Sequence, residues 1–301
     1  MLHHAQQVMR TKPHMFPAPS PISVERKHFG QLNSHPYVVS PKADGERFLL
    51  VALGDRSVLI NRAFEETDIK FKFKKDAYQG TVLDVEKITD FKGNTRILVF
   101  DAYQVNGEII KDEQLDDRLD KASRLVKGIL KTSKDPIKIE MKPVFGREDL
   151  VQVVKKDFGY ETDGLIFTPK DEPGRVGTHE TMFKWKPLEK NTVDFQVVPS
   201  TRIHDCRQEM VYGYDLYVQE HGKKICEARV PQELVEPHWQ PIMDAGKDHC
   251  LILECEYIQG EVNFWRPIGI RRDKTMPNAR RTFQRTLVNI DEDIQWQEFQ
   301  I

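Results

Sequence analysis

Pro41-Lys42-Ala43-Asp44-Gly45-Glu46-Arg47 (PKADGER) lies between two apolar runs, YVVS at 37–40 and FLLVAL at 48–53. The flanking runs have the β-branched and aromatic character of strands, so the polar stretch connects two of them. Two readings are open. Lysines are mostly exposed, and a surface hairpin accounts for a charged loop without further chemistry. Alternatively, Lys42 is a nucleophile at the mouth of a pocket. A lysine with an ordinary pKa of about 10.4 attacks poorly near neutrality, and becomes effective only where cations and desolvation favour the neutral amine. That reading demands further cations in the same pocket. Arg47 is the nearest in sequence, and Gly45 permits a sharp turn between them.

Three more clusters have the same double character. In LDVEK, strand alternation puts Asp84 and Glu86 on one face and Leu83 and Val85 on the other. Such a carboxylate pair suits a ribose hydroxyl or a divalent cation, or is simply a solvated face. In FKWKP, Lys184 and Lys186 share a face, with Phe183, Trp185 and Pro187 alternating against them. Two adjacent ammonium groups repel unless an anion lies between them, and phosphate is the natural one. In IRRDKTMPN, Arg271 and Asp273 share a strand face and Lys274 sits where the strand ends. This is a surface charge run or a second phosphate contact.

Around these clusters the chain reads as α+β in two domains. Its 301 residues, 39% hydrophobic and 31% charged, suit a soluble globular protein with ample core. The net charge of −2 argues against extensive coating of nucleic acid but allows one locally held partner. No run approaches the ~18 apolar residues of a membrane span, and the N-terminus lacks a signal-type apolar core, so an intracellular protein is expected. The four cysteines, Cys206, Cys226, Cys250 and Cys255, lack zinc-site spacing and are expected to be reduced and mostly buried. FPAPSP should be extended, and Ser23 is a candidate cap for a short helix over 24–35. Strand-like runs follow, with an Asn106-Gly107 turn, a helix over 112–131 and another over 148–157. Beyond Lys190 the short β-like pieces suggest a small barrel, then a helix over 278–290. The expected division is 1–190, 191–290 and a tail, 291–301, packing back on the first domain.

Taken together, the clusters resemble one group. Lys42-Ala-Asp-Gly-Glu-Arg47 is similar to the KxDGxR signature of covalent nucleotidyltransferases, which include ATP-dependent polynucleotide ligases and GTP-dependent mRNA capping enzymes. The remaining motifs follow in family order: NRAF with Arg62, LDVEK, ILVFDAY with Phe100, ETDGLIFTP centred on Asp163-Gly164, FKWKPLEKNTVDF running to Asp194, and RxDKxxPN at Arg271–Asn278. The lead-in FPAPSPISVERKHF, the form of the double-lysine motif, the RxDKxxPN ending and Lys142 in IEMKPVF resemble capping enzymes more than ligases, and the compact enzymes of large DNA viruses most. One departure is Val85, where family members carry glycine; if Val85 faces away from the pocket it costs little.

The resemblance implies a nucleotidyltransferase domain of mixed antiparallel sheets with helices, followed by an OB-fold β-barrel. It implies transfer of GMP from GTP through Lys42 to the 5′-diphosphate end of RNA, with Mg²⁺ or Mn²⁺. Arg47 and Glu86 would fix the ribose, Phe100 would stack on the base and Lys142 would lie near guanine. Lys184 and Lys186 would hold the α-phosphate, with Arg62 in the same pocket. Asp163 and Asp194 would orient cations or bind metal, and Glu86 is a further candidate metal ligand. Arg271, Asp273 and Lys274 would contact the outer phosphates. RNA triphosphatase and cap methyltransferase activities are implied as partners, on separate proteins or on further parts of a longer chain. The implied location is the nucleus for a cellular protein, or the host nucleus or a cytoplasmic factory for a viral one. The alternatives are an ATP-dependent ligase using the same lysine and a nucleotide-binding subunit without catalysis.

Overall fold

Strand alternation sorts apolar from charged side chains along most of this chain, and the sheets follow from it. The computed structural model describes residues 1–69, 72–129, 137–204, 209–234, 240, 244, 251–260, 263–272 and 274–300. The chain divides into two units, Met1–Lys186 with Gln295–Ile301, and Pro187–Ile294. The second unit is therefore an insertion in the first.

The first unit has two sheets. Sheet one has the order β5-β4-β3-β6-β7-β8, formed by β3 (Glu46–Leu53), β4 (Arg56–Ile60), β5 (Glu66–Asp68), β6 (Thr81–Thr89), β7 (Thr95–Val105) and β8 (Glu108–Ile109). A further strand, β9 (Ile137–Met141), pairs in parallel with β7. Asn106 and Gly107, at φ 52° and 87°, make the tight turn into β8 that the sequence predicts. Sheet two has the order β1-β12-β11-β2-β10, from β1 (Pro19–Ser23), β2 (Tyr37–Ala43), β10 (Phe145–Gly146), β11 (Thr162–Pro169) and β12 (Gly177–Trp185).

Each face of sheet one is covered. Phe48, Leu50, Leu83, Val85, Ile97 and Val99 pack under α3 (Leu115–Lys127) through Ala122, Leu125 and Val126. Leu49, Val51, Val58, Ile60 and Val82 pack with Ala5, Val8 and Met9 of α1 (Leu2–Met9). Helix α1 is not foreseen from the His-rich N-terminus. Arg118 takes a core position in the apolar stripe of α3: it is 2% exposed and pairs bidentately with Asp101 at 2.8 and 2.9 Å. Removing either partner alone would strand a buried charge.

Sheet two buries Phe167, Phe183 and Trp185 on one face. There α2 (Phe29–Ser34) and the last residues of the chain meet them. Phe299 lies 4.8 Å from Phe167 and 5.4 Å from Phe29, and its carbonyl accepts a 3.0 Å hydrogen bond from Arg147. Glu298 pairs with Arg26. Ser23 does not cap the short helical segment. It closes β1, and Glu25 caps a 3-10 turn at Arg26–His28 that leads into α2, in a reciprocal capping box with His28. The helix expected over 148–157 is a 3-10 turn followed by α4 (Leu150–Lys155).

The second unit is a five-stranded antiparallel sheet, β15-β14-β13-β16-β17, of the OB type: β13 (Thr192–His204), β14 (Glu209–Glu220), β15 (Lys223–Pro231), β16 (Leu251–Ile258) and β17 (Phe264–Ile270). Helix α5 (Arg280–Glu292) closes its core, with Phe283 5.7 Å from Phe195 and 5.9 Å from Trp265. Cys255 is buried here and Cys226 is exposed, contrary to the expectation of burial. Cys206 and Cys250 lie outside the described residues. Among the described residues no helix is long and apolar enough to cross a membrane.

Candidate active site

The PKADGER stretch carries the chain from one sheet of the first unit to the other. Lys42 is at the end of β2 in sheet two, and Arg47 is at the start of β3 in sheet one. Gly45 makes the crossing feasible, because a Cβ there would lie 2.5 Å from Ile88 Cγ2 and 2.6 Å from the Lys87 carbonyl oxygen. Lys42 Nζ donates to Asp163 Oδ1 at 2.6 Å, and Lys186 Nζ pairs with Asp163 Oδ2 at 2.7 Å. Asp163 reaches both through an irregularity in β11 between Thr162 and Leu165, where Gly164 adopts φ +146°. Burial alone would raise the Asp163 carboxyl, but the two ammonium groups outweigh it and hold it below the usual carboxylate range. Lys184 shares a strand face with Lys186. Burial first, then the charges of Lys186, Lys42 and Arg62, push its ammonium down to about 8. The cluster thus has the excess positive charge that the nucleophile reading demands. Arg62 itself is exposed, on a turn closed by the Asn61 side chain.

Sheet one supplies the opposite set. Arg47, near the start of the Leu-rich β3, points its guanidinium to Asp84, at 2.8 and 2.5 Å, and Tyr103 donates to the same carboxylate at 2.5 Å. Asp84, rather than a free solvent face, therefore holds Arg47 in place. Glu86, one step of alternation further, accepts a 3.0 Å hydrogen bond from Lys142, which is only 5% exposed. Phe100 lies between two cations, 5.4 Å from the Arg47 guanidinium and 5.3 Å from Lys142 Nζ. Two register shifts against β6 allow this, as Asp84 pairs with Asp101 but Val85 with Val99, and Val82 with Gln104 but Leu83 with Ala102. Phe100 and Tyr103 are the extra residues at these bulges. Val85 is fully buried in the α3-side core and faces away from Glu86, as alternation predicts. Tyr103, Phe16 (whose ring is 5.9 Å from the Arg47 guanidinium) and the Pro19 carbonyl, which also accepts from Arg47, are site elements that motif reading passes over.

In the second unit, Asp194 Oδ1 accepts from Arg271 at 2.9 Å and Asp194 Oδ2 pairs with Lys274. Asn278 clamps the same residue from the backbone side, its Oδ1 accepting from the Asp194 amide at 2.9 Å and its amide donating to the Asp194 carbonyl at 2.8 Å. Asp194 is thus grouped with Arg271 and Lys274 of its own unit. Asp273 lies outside the described residues.

The described residues do not build a protein cage for a metal ion. Glu86 is neutralised by Lys142 and Asp163 by two lysines, and no group of three metal-ligating side chains occurs among the described residues. What the first unit can do chemically is hold polyphosphate. Three lysines converge beside one carboxylate, next to an aromatic ring flanked by cations.

This has a pH consequence. Lys184 titrates near 8 when folded, against 10.5 for the ordinary group, so below about 8 it is charged and above it the folded protein has lost a proton that a bound phosphate would draw back. Tripolyphosphate affinity, followed by calorimetry, should therefore fall as pH rises through 8, with proton uptake on binding, and Lys184→Met should flatten that dependence. By the same sign, the folded state's penalty for charging Lys184 is full below 8 and disappears as pH rises toward 10.5.

The family described as mRNA capping enzyme, catalytic domain, matches residues 2–188, and the mRNA capping enzyme C-terminal domain matches residues 189–299. The chain belongs to the mRNA capping enzyme family. A Caenorhabditis elegans mRNA-capping enzyme is 28% identical over 311 residues, covering 91% of this chain and 47% of that protein. The mRNA-capping enzyme subunit alpha of Schizosaccharomyces pombe is 27% identical over 327 residues, covering 96% of this chain and 80% of that protein. The chain spans about half the length of the animal capping enzymes it matches. Among solved structures, a mycobacterial DNA ligase D complexed with ATP and MES aligns with a TM-score of 0.48 and 13% identity, covering 86% of this chain and 96% of that chain.

Proposed function

We propose that this chain is an mRNA guanylyltransferase, and the observation that carries the reading is the seating of Lys42 and Lys186 on the two oxygens of Asp163 with Lys184 beside them. In the first step Lys42 Nζ, as the neutral amine, attacks the α-phosphorus of GTP. A P–N bond forms, the bond to the β-phosphate oxygen breaks, pyrophosphate leaves and the amine proton is lost to solvent. In the second step a terminal oxygen of diphosphate-ended RNA attacks the same phosphorus, the P–N bond breaks and the lysine amine takes up a proton, giving GpppN. Asp163 orients Lys42 in the resting site, and Lys184 and Lys186 hold the α-phosphate and its growing negative charge. Lys142, held by Glu86 beside Phe100, is placed to read the base, with the Phe100 face stacking on it.

Mg²⁺ or Mn²⁺ would come bound to the triphosphate, since Mg²⁺ commonly uses substrate phosphates and few carboxylates. The RNA end reaching this site must already have lost its γ-phosphate, which calls for an RNA triphosphatase, on a separate protein or on a further part of a longer chain, and a cap methyltransferase would act afterwards. The protein would work in the nucleus, or in a host nucleus or cytoplasmic factory if viral. Incubation with α-labelled GTP and divalent metal should label the protein covalently through a phosphoamidate that is lost in acid and stable in alkali. Preferential labelling by ATP would instead make it a polynucleotide ligase.

A further inference from the structure

The turn between β6 and β7 leaves Phe91 65% exposed, while its amide donates to the Gly159 carbonyl at 2.9 Å, so this turn stands beside the segment 156–160. In that segment Phe158 meets Phe145 edge to face at 6.2 Å and packs against Tyr160 at 5.9 Å. Lys156 Nζ lies 5.4 Å from the Phe145 ring and 5.8 Å from the Phe158 ring. Phe145 and Phe158 are half-buried. Lys92, Lys155 and Lys156 are exposed and make no ion pair among the described residues. None of these six side chains belongs to the nucleotide site described above. Phe91 and Lys92 at the hairpin tip thus stand next to the segment that carries Lys155 and Lys156.

Aromatic faces interleaved with cations are what single-stranded nucleic acid binds, its bases stacking and its phosphates taken by lysine. The surface also borders β2, the strand of Lys42, through Ala43, whose side chain points to the face opposite Lys42. Tyr160 packs against Ala43, the Asp44 amide donates to the Glu161 carbonyl at 3.0 Å, and Thr162 pairs with Ala43. Phe158 is thus at most ~14 Å by chain from Thr162, the strand partner of Ala43. The overall charge of −2 means that attraction for an RNA must be local, and with Asp157 and Glu161 in the same segment it must come from direct lysine–phosphate contacts rather than from a net positive field.

We propose that Phe91, Phe145 and Phe158, with Lys92, Lys155 and Lys156, hold the single-stranded RNA immediately downstream of the 5′ end that receives GMP. This rests on the guanylyltransferase reading. An acidic protein segment would use the lysines but leave the row of rings without a role, whereas RNA engages both.

The test combines Phe91→Ser, Lys92→Glu and Lys156→Glu, all exposed positions, and follows discharge of the preformed GMP adduct. Onto a diphosphate-ended RNA of about 20 nucleotides at subsaturating concentration, discharge should slow about tenfold or more, while onto a diphosphate-ended dinucleotide it should be unchanged. The salt dependence should become shallower, by about 0.7 in log–log slope for each RNA phosphate that the protein no longer neutralises. Fluorescence anisotropy with the same RNA and unreacted protein should show a matching fall in affinity. Equal discharge onto long and short acceptors, with unchanged anisotropy, would overturn the assignment and leave the surface to a protein partner. Absence of any adduct in the unsubstituted protein would defeat the guanylyltransferase reading, and is seen before RNA is added. The anisotropy arm requires no chemistry, so it still decides whether the surface holds RNA.

Discussion

Lys42→Arg should leave a folded protein that carries no covalent nucleotide after incubation with α-labelled GTP. Arginine keeps a cation opposite Asp163, so the pairing that orders the site is retained, but a guanidinium stays protonated and cannot attack phosphorus. Lys42→Ala should be equally inert, for the different reason that no amine remains. The loss should be complete at the limit of detection, because covalent catalysis without its nucleophile has no residual path to the same adduct. The structure names the competitor to be excluded. Lys184, with its ammonium pushed down to about 8, is the next amine able to attack. Adduct surviving in Lys42→Arg and vanishing in Lys184→Met would transfer the nucleophile to Lys184; the expected pattern is the reverse, with Lys184→Met only slowed.

Gly164→Ala should damage both fold and site. Gly164 has φ +146°, a conformation that L side chains rarely adopt, and a Cβ would lie 1.9 Å from the Trp185 carbonyl oxygen. The obstacle is backbone of the neighbouring strand β12, so no side-chain rotation relieves it. Either β11 and β12 separate, or the peptide turns and carries Asp163 away from Lys42 and Lys186. A loss of about 3 kcal/mol or more is expected, read as a lower urea midpoint with unchanged slope. Adduct formation by the fraction still folded should fall as well. A variant as stable and as active as the parent would show that the Asp163–Lys186 seating is not needed for the chemistry.

The site was legible in sequence wherever alternation held. Asp84 with Glu86, and Lys184 with Lys186, needed only a period of two, and Val85 turning into the core needed nothing more. Asn106-Gly107 announced its own turn through its backbone preference. What was hidden lies where that periodicity breaks or where partners are remote. The bulges that set Phe100 between Arg47 and Lys142, and Tyr103 on Asp84, add residues to β7 that no local pattern reveals. Arg118 occupies an apolar helical position because Asp101, on a neighbouring strand, neutralises it. The Asp194 carboxylate stands a few residues after the double-lysine motif, yet the sheet of the second unit gives it to Arg271 and Lys274, some eighty residues on. Helix α1 was obscured because Leu2, Ala5, Val8 and Met9 make a narrow stripe among histidines and glutamines.

The seating of Phe299 against Phe29, Phe167 and Trp185 sets a timetable for biosynthesis. A ribosome delivers Trp185 and then all of Pro187–Ile294 before the residues that cover it. At ~5–20 residues per second, that leaves the apolar face of sheet two without the Phe299 part of its cover for on the order of ten seconds. Over that interval the inserted unit can fold on its own strands, whereas the unit bearing Lys42 must wait for its closing segment. The unit bearing Lys42 is thus the last to be completed, with Phe167 and Trp185 without the Phe299 contact meanwhile.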